Sequence, residues 1–141
     1  MFRVFLGFLV ASALILTGCQ ETASTEVQGE EVEVFDGSYT DVSIAELQSM
    51  LKNKDFTFVN VHIPYAGDIP QTDLSIPYNE IDQHLGQLPA DKDAKIVLYC
   101  QSDRMSMIAS ETLVGLGYTN VYNLDGGMAA WERAGLKLNY R

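Results

Sequence analysis

The chain has 141 residues, 47% of them apolar, enough to bury one compact core and few for two domains. Nineteen acidic side chains against nine basic ones leave a formal net charge of −10, which argues against nucleic acid as a partner. Two cysteines and two histidines form no metal-ligand spacing, and nothing in the composition calls for a cofactor.

Arg3 is the only charge before the apolar run "VFLGFLVASALILTGC", which is short for a membrane span and has the charged start of a secretory signal. Its end, Leu16-Thr17-Gly18-Cys19, resembles the lipobox of bacterial lipoproteins. The resemblance implies a signal peptide over residues 1–18 and an acylated Cys19 as the mature N-terminus. Such a protein is exported and lipid-anchored to the cell envelope without spanning a membrane. It sits on the periplasmic face of the outer membrane if the organism has two membranes, otherwise on the outer face of the cell membrane. Residues 19–38, with "QETASTEVQGEEVEVFDGS" after the cysteine, are acidic and rich in small polar side chains, and are expected to form a flexible tether. With Cys19 lipidated, Cys100 is the remaining thiol and no internal disulfide can form. A lone thiol outside the reducing cytosol is either a buried core residue or a nucleophile.

Residues 39–141 are expected to form one domain. Ser43 and Glu46 have capping-box spacing ahead of the amphipathic helix "IAELQSMLKN". "FTFVNV" (56–61) reads as a strand. The stretch after it carries Pro64, Pro70 and Pro77 and predicts an irregular crossing that ends in a short helix. "KIVLYC" (95–100) is apolar throughout and reads as a central strand. Residues 107–116 form a helix closed by Gly117, "NVYNL" (120–124) a third strand, and "GGMAAWERAG" a last short helix with Trp131 in the core. Alternation of strand and helix patterns predicts an α/β fold, with a central mostly parallel sheet flanked by helices on both faces.

Ligands bind beyond the carboxyl ends of strands in such sheets, and Cys100 falls at one. The backbone N–H groups of Gln101, Ser102, Asp103, Arg104, Met105 and Ser106, with the positive end of the following helix, would stabilise a thiolate and an anion there. Arg104 adds a permanent positive charge or is a solvated surface residue. His62 lies either at the rim of the site or hydrogen-bonded to nearby backbone. His84 reads as surface, and Gly126-Gly127 as a tight strand-to-helix turn rather than a dinucleotide loop.

"CQSDRMS", a helix, and then "NLDGGMAAWERAG" together resemble the single-domain rhodanese family of sulfurtransferases, over about residues 39–141. The resemblance implies the rhodanese-like fold and a Cys100 persulfide that carries sulfane sulfur from a donor such as thiosulfate to a thiophilic acceptor such as cyanide or a thiol. Residues 101–106 would bind the small sulfur-containing anion. Cysteine-dependent phosphatases on related folds place arginine six positions after the cysteine; here it is four, which suits one sulfur atom better than a tetrahedral oxyanion. The chain departs from the family pattern at Asn60 and His62, where an Asp and an Arg are usual, so an ion pair bracing the loop is absent. It departs again at Asp103, where Gly is common: the carboxylate is expected to repel a bound anion, and to strain the loop if positive φ is required. A second reading keeps the fold as a catalytically weak binding or sulfur-carrier module that docks an envelope protein.

Overall fold

The computed structural model describes residues 29–141, so the expected signal peptide over residues 1–18, Cys19 and the first part of the expected tether lie outside the described residues. In chain order the elements are β1 (Glu30–Val34), β2 (Gly37–Val42), α1 (Ile44–Lys52), β3 (Thr57–Asn60), β4 (Leu74–Ser75), two single 3₁₀ turns (Ile81–Gln83 and Leu85–Gln87), β5 (Ile96–Tyr99), α2 (Arg104–Gly115), β6 (Val121–Leu124) and α3 (Gly127–Arg133). The sheet order is β1-β2-β6-β5-β3-β4, and only the β1–β2 pair is antiparallel. β5 is central and buried along its whole length, as an apolar run without alternation requires.

Period-2 alternation divides the core into two layers. Ile96, Leu98 and Cys100 face the layer formed with Ala109, Leu113 and Val114 of α2. Val97 and Tyr99 face the other, formed with Leu47 and Met50 of α1 and with Met128 and Trp131 of α3. Each of these larger side chains contributes roughly 1.5–3 kcal/mol through burial. α1 begins at the expected capping box: the Ser43 hydroxyl accepts from the Glu46 N–H (3.3 Å) and the Glu46 carboxylate from the Ser43 N–H (2.8 Å). Trp131 is buried in the core, with its indole N–H donating to the Lys137 carbonyl at 3.0 Å.

Three expectations are corrected. The acidic segment is not a tether as far as Ser38, because residues 30–34 pair with β2 in a hairpin. Glu31-Val32-Glu33-Val34 alternates strictly, so Val32 and Val34 pack on the α2-side core while the glutamates stay exposed. Charge content concealed a strand whose inward face is apolar. The crossing after β3 ends in the two 3₁₀ turns rather than a helix, with Ile81 as their buried anchor. The last helix but one also starts earlier than its apolar pattern, at Arg104 rather than at residue 107.

Candidate active site

Cys100 directly follows β5, and its neighbours explain why that strand end is fixed. Tyr99, buried on the opposite face, accepts a hydrogen bond from the Ile69 N–H at 3.0 Å and pairs with the Thr72 hydroxyl at 2.8 Å. Burial pushes its phenol up to about 12, so it stays neutral and serves as an anchor. The Val61 N–H donates to the Tyr99 carbonyl at 2.9 Å, which extends the β3–β5 pairing to the edge of the loop.

Beyond the thiol the chain turns through Gln101, Ser102 and Asp103 into α2. Cys100 is 2% exposed, whereas Gln101, Ser102 and Arg104 are exposed. Among the described residues, no acceptor pairs with any backbone N–H from Gln101 to Ser106; the first used is that of Met107, which donates to the Asp103 carbonyl at 2.9 Å. A row of free donors next to a sulfur, at the positive end of a 12-residue helix, is suited to hold an anion. Arg104 opens that helix and has no carboxylate partner among the described residues, so its charge is free to act on an incoming anion. Met105 packs instead against the α2-side core and is a packing residue. Ser106 is fully buried, with its hydroxyl 3.3 Å from the Cys100 sulfur.

The loop is held from its other side by the β6–α3 turn. The Met128 and Ala129 N–H groups donate to the Cys100 and Gln101 carbonyls, both at 2.9 Å, and the Gly126 N–H donates to the Asp103 carboxylate at 2.8 Å. Gly127 has φ +52°, and a Cβ there would overlap the Cys100 and Ser102 carbonyl oxygens. The Gly126-Gly127 pair is therefore the tight turn expected, made necessary by backbone approaching backbone. No local pattern near Cys100 announces this brace, since its partners lie more than twenty residues away.

Asp103 corrects an expectation. Its φ is −145°, so no left-handed strain exists, and its carboxylate is turned to the Gly126 N–H as a tie across the site. Asn60 braces the end of β3 through hydrogen bonds: its amide donates to the Gly67 carbonyl (2.9 Å) and to the Asp68 carboxylate (3.0 Å), and its oxygen accepts from the His62 N–H (3.0 Å). His62 lies just past β3, at the same carboxyl end of the parallel strands as Cys100. Its Nδ1 is buried without a partner, and burial lowers its pKa, which keeps the ring neutral at pH 7. His84 is half-buried beside Glu80, 3.7 Å away.

Behind the loop the sheet is acidic. Burial, the carboxylate of Asp41 and those of Glu111 and Asp103 raise the pKa of Tyr39. Burial also raises that of Asp41, despite the bond it accepts from Asn123 at 2.8 Å. A cavity of about 320 Å³ on this side is lined by Glu30, Asp41, Glu46 and Asp125, charges that repel an anionic substrate. The described residues contain no cluster able to hold a metal and no helix long and apolar enough to cross a membrane.

Residues 43–134 match the Rhodanese-like domain family. A sulfurtransferase of Allochromatium vinosum is 34% identical over 94 residues, covering 64% of this chain and 85% of that protein. The thiosulfate sulfurtransferase GlpE of Pseudoalteromonas translucida is 29% identical, covering 69% and 92%. Among solved structures, a rhodanese-related protein from Thermoplasma volcanium superposes with a TM-score of 0.60 at 26% identity, over 71% of this chain and 97% of that one.

Proposed function

The chain belongs to the rhodanese-like domain family, and on that footing we propose that it is a sulfurtransferase in which Cys100 carries sulfane sulfur as a persulfide. With thiosulfate as donor, the Cys100 thiolate attacks the outer sulfur. A new S–S bond forms, the bond to the sulfonate sulfur breaks, and sulfite leaves with that electron pair. A thiophilic acceptor such as cyanide or a thiol then takes the outer sulfur and returns the thiolate. The unpaired N–H row from Gln101 to Ser106 beside the thiol supports this reading most directly, because both a thiolate and a thiosulfate anion need such donors. Arg104 supplies the cationic attraction.

Intact mass after incubation with thiosulfate tests the proposal: the protein should gain one sulfur atom, and Cys100→Ser should gain none. Turnover of thiosulfate and cyanide by Cys100→Ser would place the chemistry elsewhere. A protein that stays folded yet never gains sulfur from any donor would instead favour the binding-module reading, for which the acidic cavity is the specific feature.

We further propose that acylated Cys19 anchors the domain to the cell envelope, supported by the lipobox-like Leu16-Thr17-Gly18-Cys19. Cys19→Ala should then move the protein from the membrane fraction to the soluble one. Lipid labelling that persists in that variant would refute the anchor.

A further inference from the structure

Two hydrogen-bond positions around Ser106 define a proton switch. The Ser106 hydroxyl carries one hydrogen, which it donates to the Asp103 carbonyl at 3.0 Å, and the Cys100 sulfur lies 3.3 Å from the same oxygen. Both residues are buried, and the partners within reach of the Ser106 hydroxyl are the Cys100 sulfur and the Asp103 carbonyl. In the thiol state the order is therefore S–H to Ser106 Oγ, and Ser106 O–H to the Asp103 carbonyl. A thiolate has no hydrogen to give and needs one. We propose that Ser106 is a catalytic residue that turns its hydroxyl hydrogen from the Asp103 carbonyl to the Cys100 sulfur whenever that sulfur is ionised.

The turn is inexpensive because the Asp103 carbonyl is not orphaned: it keeps the Met107 N–H at 2.9 Å. The gain is a charge-assisted bond in a water-poor site, stronger than the neutral one given up. The assignment rests on the sulfur-transfer reading for its catalytic meaning and names which atom each donor serves. Ser106 stays with the cysteine sulfur, while the loop N–H row and Arg104 face the incoming group. In the first half-reaction Ser106 holds the attacking thiolate. In the second, the acceptor's lone pair bonds the outer sulfur, the S–S bond breaks, and its electron pair returns to the Cys100 sulfur. Ser106 then donates to that leaving thiolate.

The test uses iodoacetamide alkylation of the full-length protein against pH, with Ser110→Ala as control. Ser110 is an equally buried serine on α2 whose hydroxyl donates to the Ser106 carbonyl and does not touch the sulfur. For Ser106→Ala the alkylation midpoint is expected to move up by about one pH unit, a roughly tenfold loss of reactive thiolate below both midpoints. Ser110→Ala should leave the midpoint unchanged, and Ser106→Thr, which retains a hydroxyl, should restore it in part. An unmoved midpoint in Ser106→Ala, or equal shifts in Ser106→Ala and Ser110→Ala, would overturn the switch. Persulfide formation from thiosulfate is followed separately by mass. If the midpoint shifts but no persulfide forms on the parent protein, the switch stands and the sulfur-transfer reading falls.

Discussion

Two strand-to-helix turns lie side by side at the carboxyl ends of the central strands, after β5 and after β6, and they use their backbone in opposite ways. The β6–α3 turn spends its donors: Gly126, Met128 and Ala129 all give their N–H groups to the neighbouring loop. The β5–α2 turn keeps its donors free from Gln101 to Ser106, while its Cys100, Gln101 and Asp103 carbonyls are taken. One turn is a brace and the other a receptor. A strand-to-helix turn becomes a binding site where its polar groups are left unsatisfied by the protein and held in place by something else.

The sharpest way to break this pairing is Gly127→Ala. A methyl group meets two carbonyl oxygens of the Cys100 loop at a left-handed φ, and neither backbone can yield alone. A loss of about 3 kcal/mol or more is expected in urea unfolding, with Cys100 alkylated faster as the loop opens. A variant as stable as its parent would mean that the brace carries no load.

Asp103→Ala cuts one tie and leaves the glycines in place. Loss of a carboxylate that accepts the Gly126 N–H should cost about 1–2 kcal/mol and slow persulfide formation, because the loop loses its lateral anchor. The competing effect is relief of anion repulsion. Should the variant keep its stability and react faster with thiosulfate, especially at low salt, repulsion would outweigh positioning.

The smallest effect is expected at Asp41, which is bonded to Asn123 in the strand leading into the brace. Its folded pKa is raised, chiefly by burial, so its protonated form fits the fold better. The contribution is fully present below the ordinary carboxylate range and is lost as pH rises through the raised value. Asp41→Asn keeps an acceptor for Asn123 and removes the charge. It should stabilise the fold at pH 7 by under about 1 kcal/mol given solvent screening, read as a small rise in melting temperature, and give no gain at pH 3. A gain that persists at pH 3 would assign the effect to something other than ionisation.

Much of this was legible in local patterns. The Ser43–Glu46 box, the unbroken apolar β5 and the position of Cys100 just past a strand end are properties of neighbouring residues, and strand and helix periodicity reads them directly. The Glu31–Val34 hairpin strand is equally present as an alternation, masked by the acidic content of its segment. What the sequence by itself determined is therefore the α/β order, the thiol and the donor-rich turn beside it. Tertiary structure alone decided the direction of each side chain and the use of each donor: Asp103 toward Gly126, Met105 into the core, Asn60 onto Gly67, Gly127 against the Cys100 carbonyl and Ser106 onto the sulfur. Most of those contacts join segments far apart in the chain. Even the short-range pair of Ser106 and Cys100 depends on how a strand end and a helix start are packed, and a periodicity of two or 3.6 residues carries no information about that.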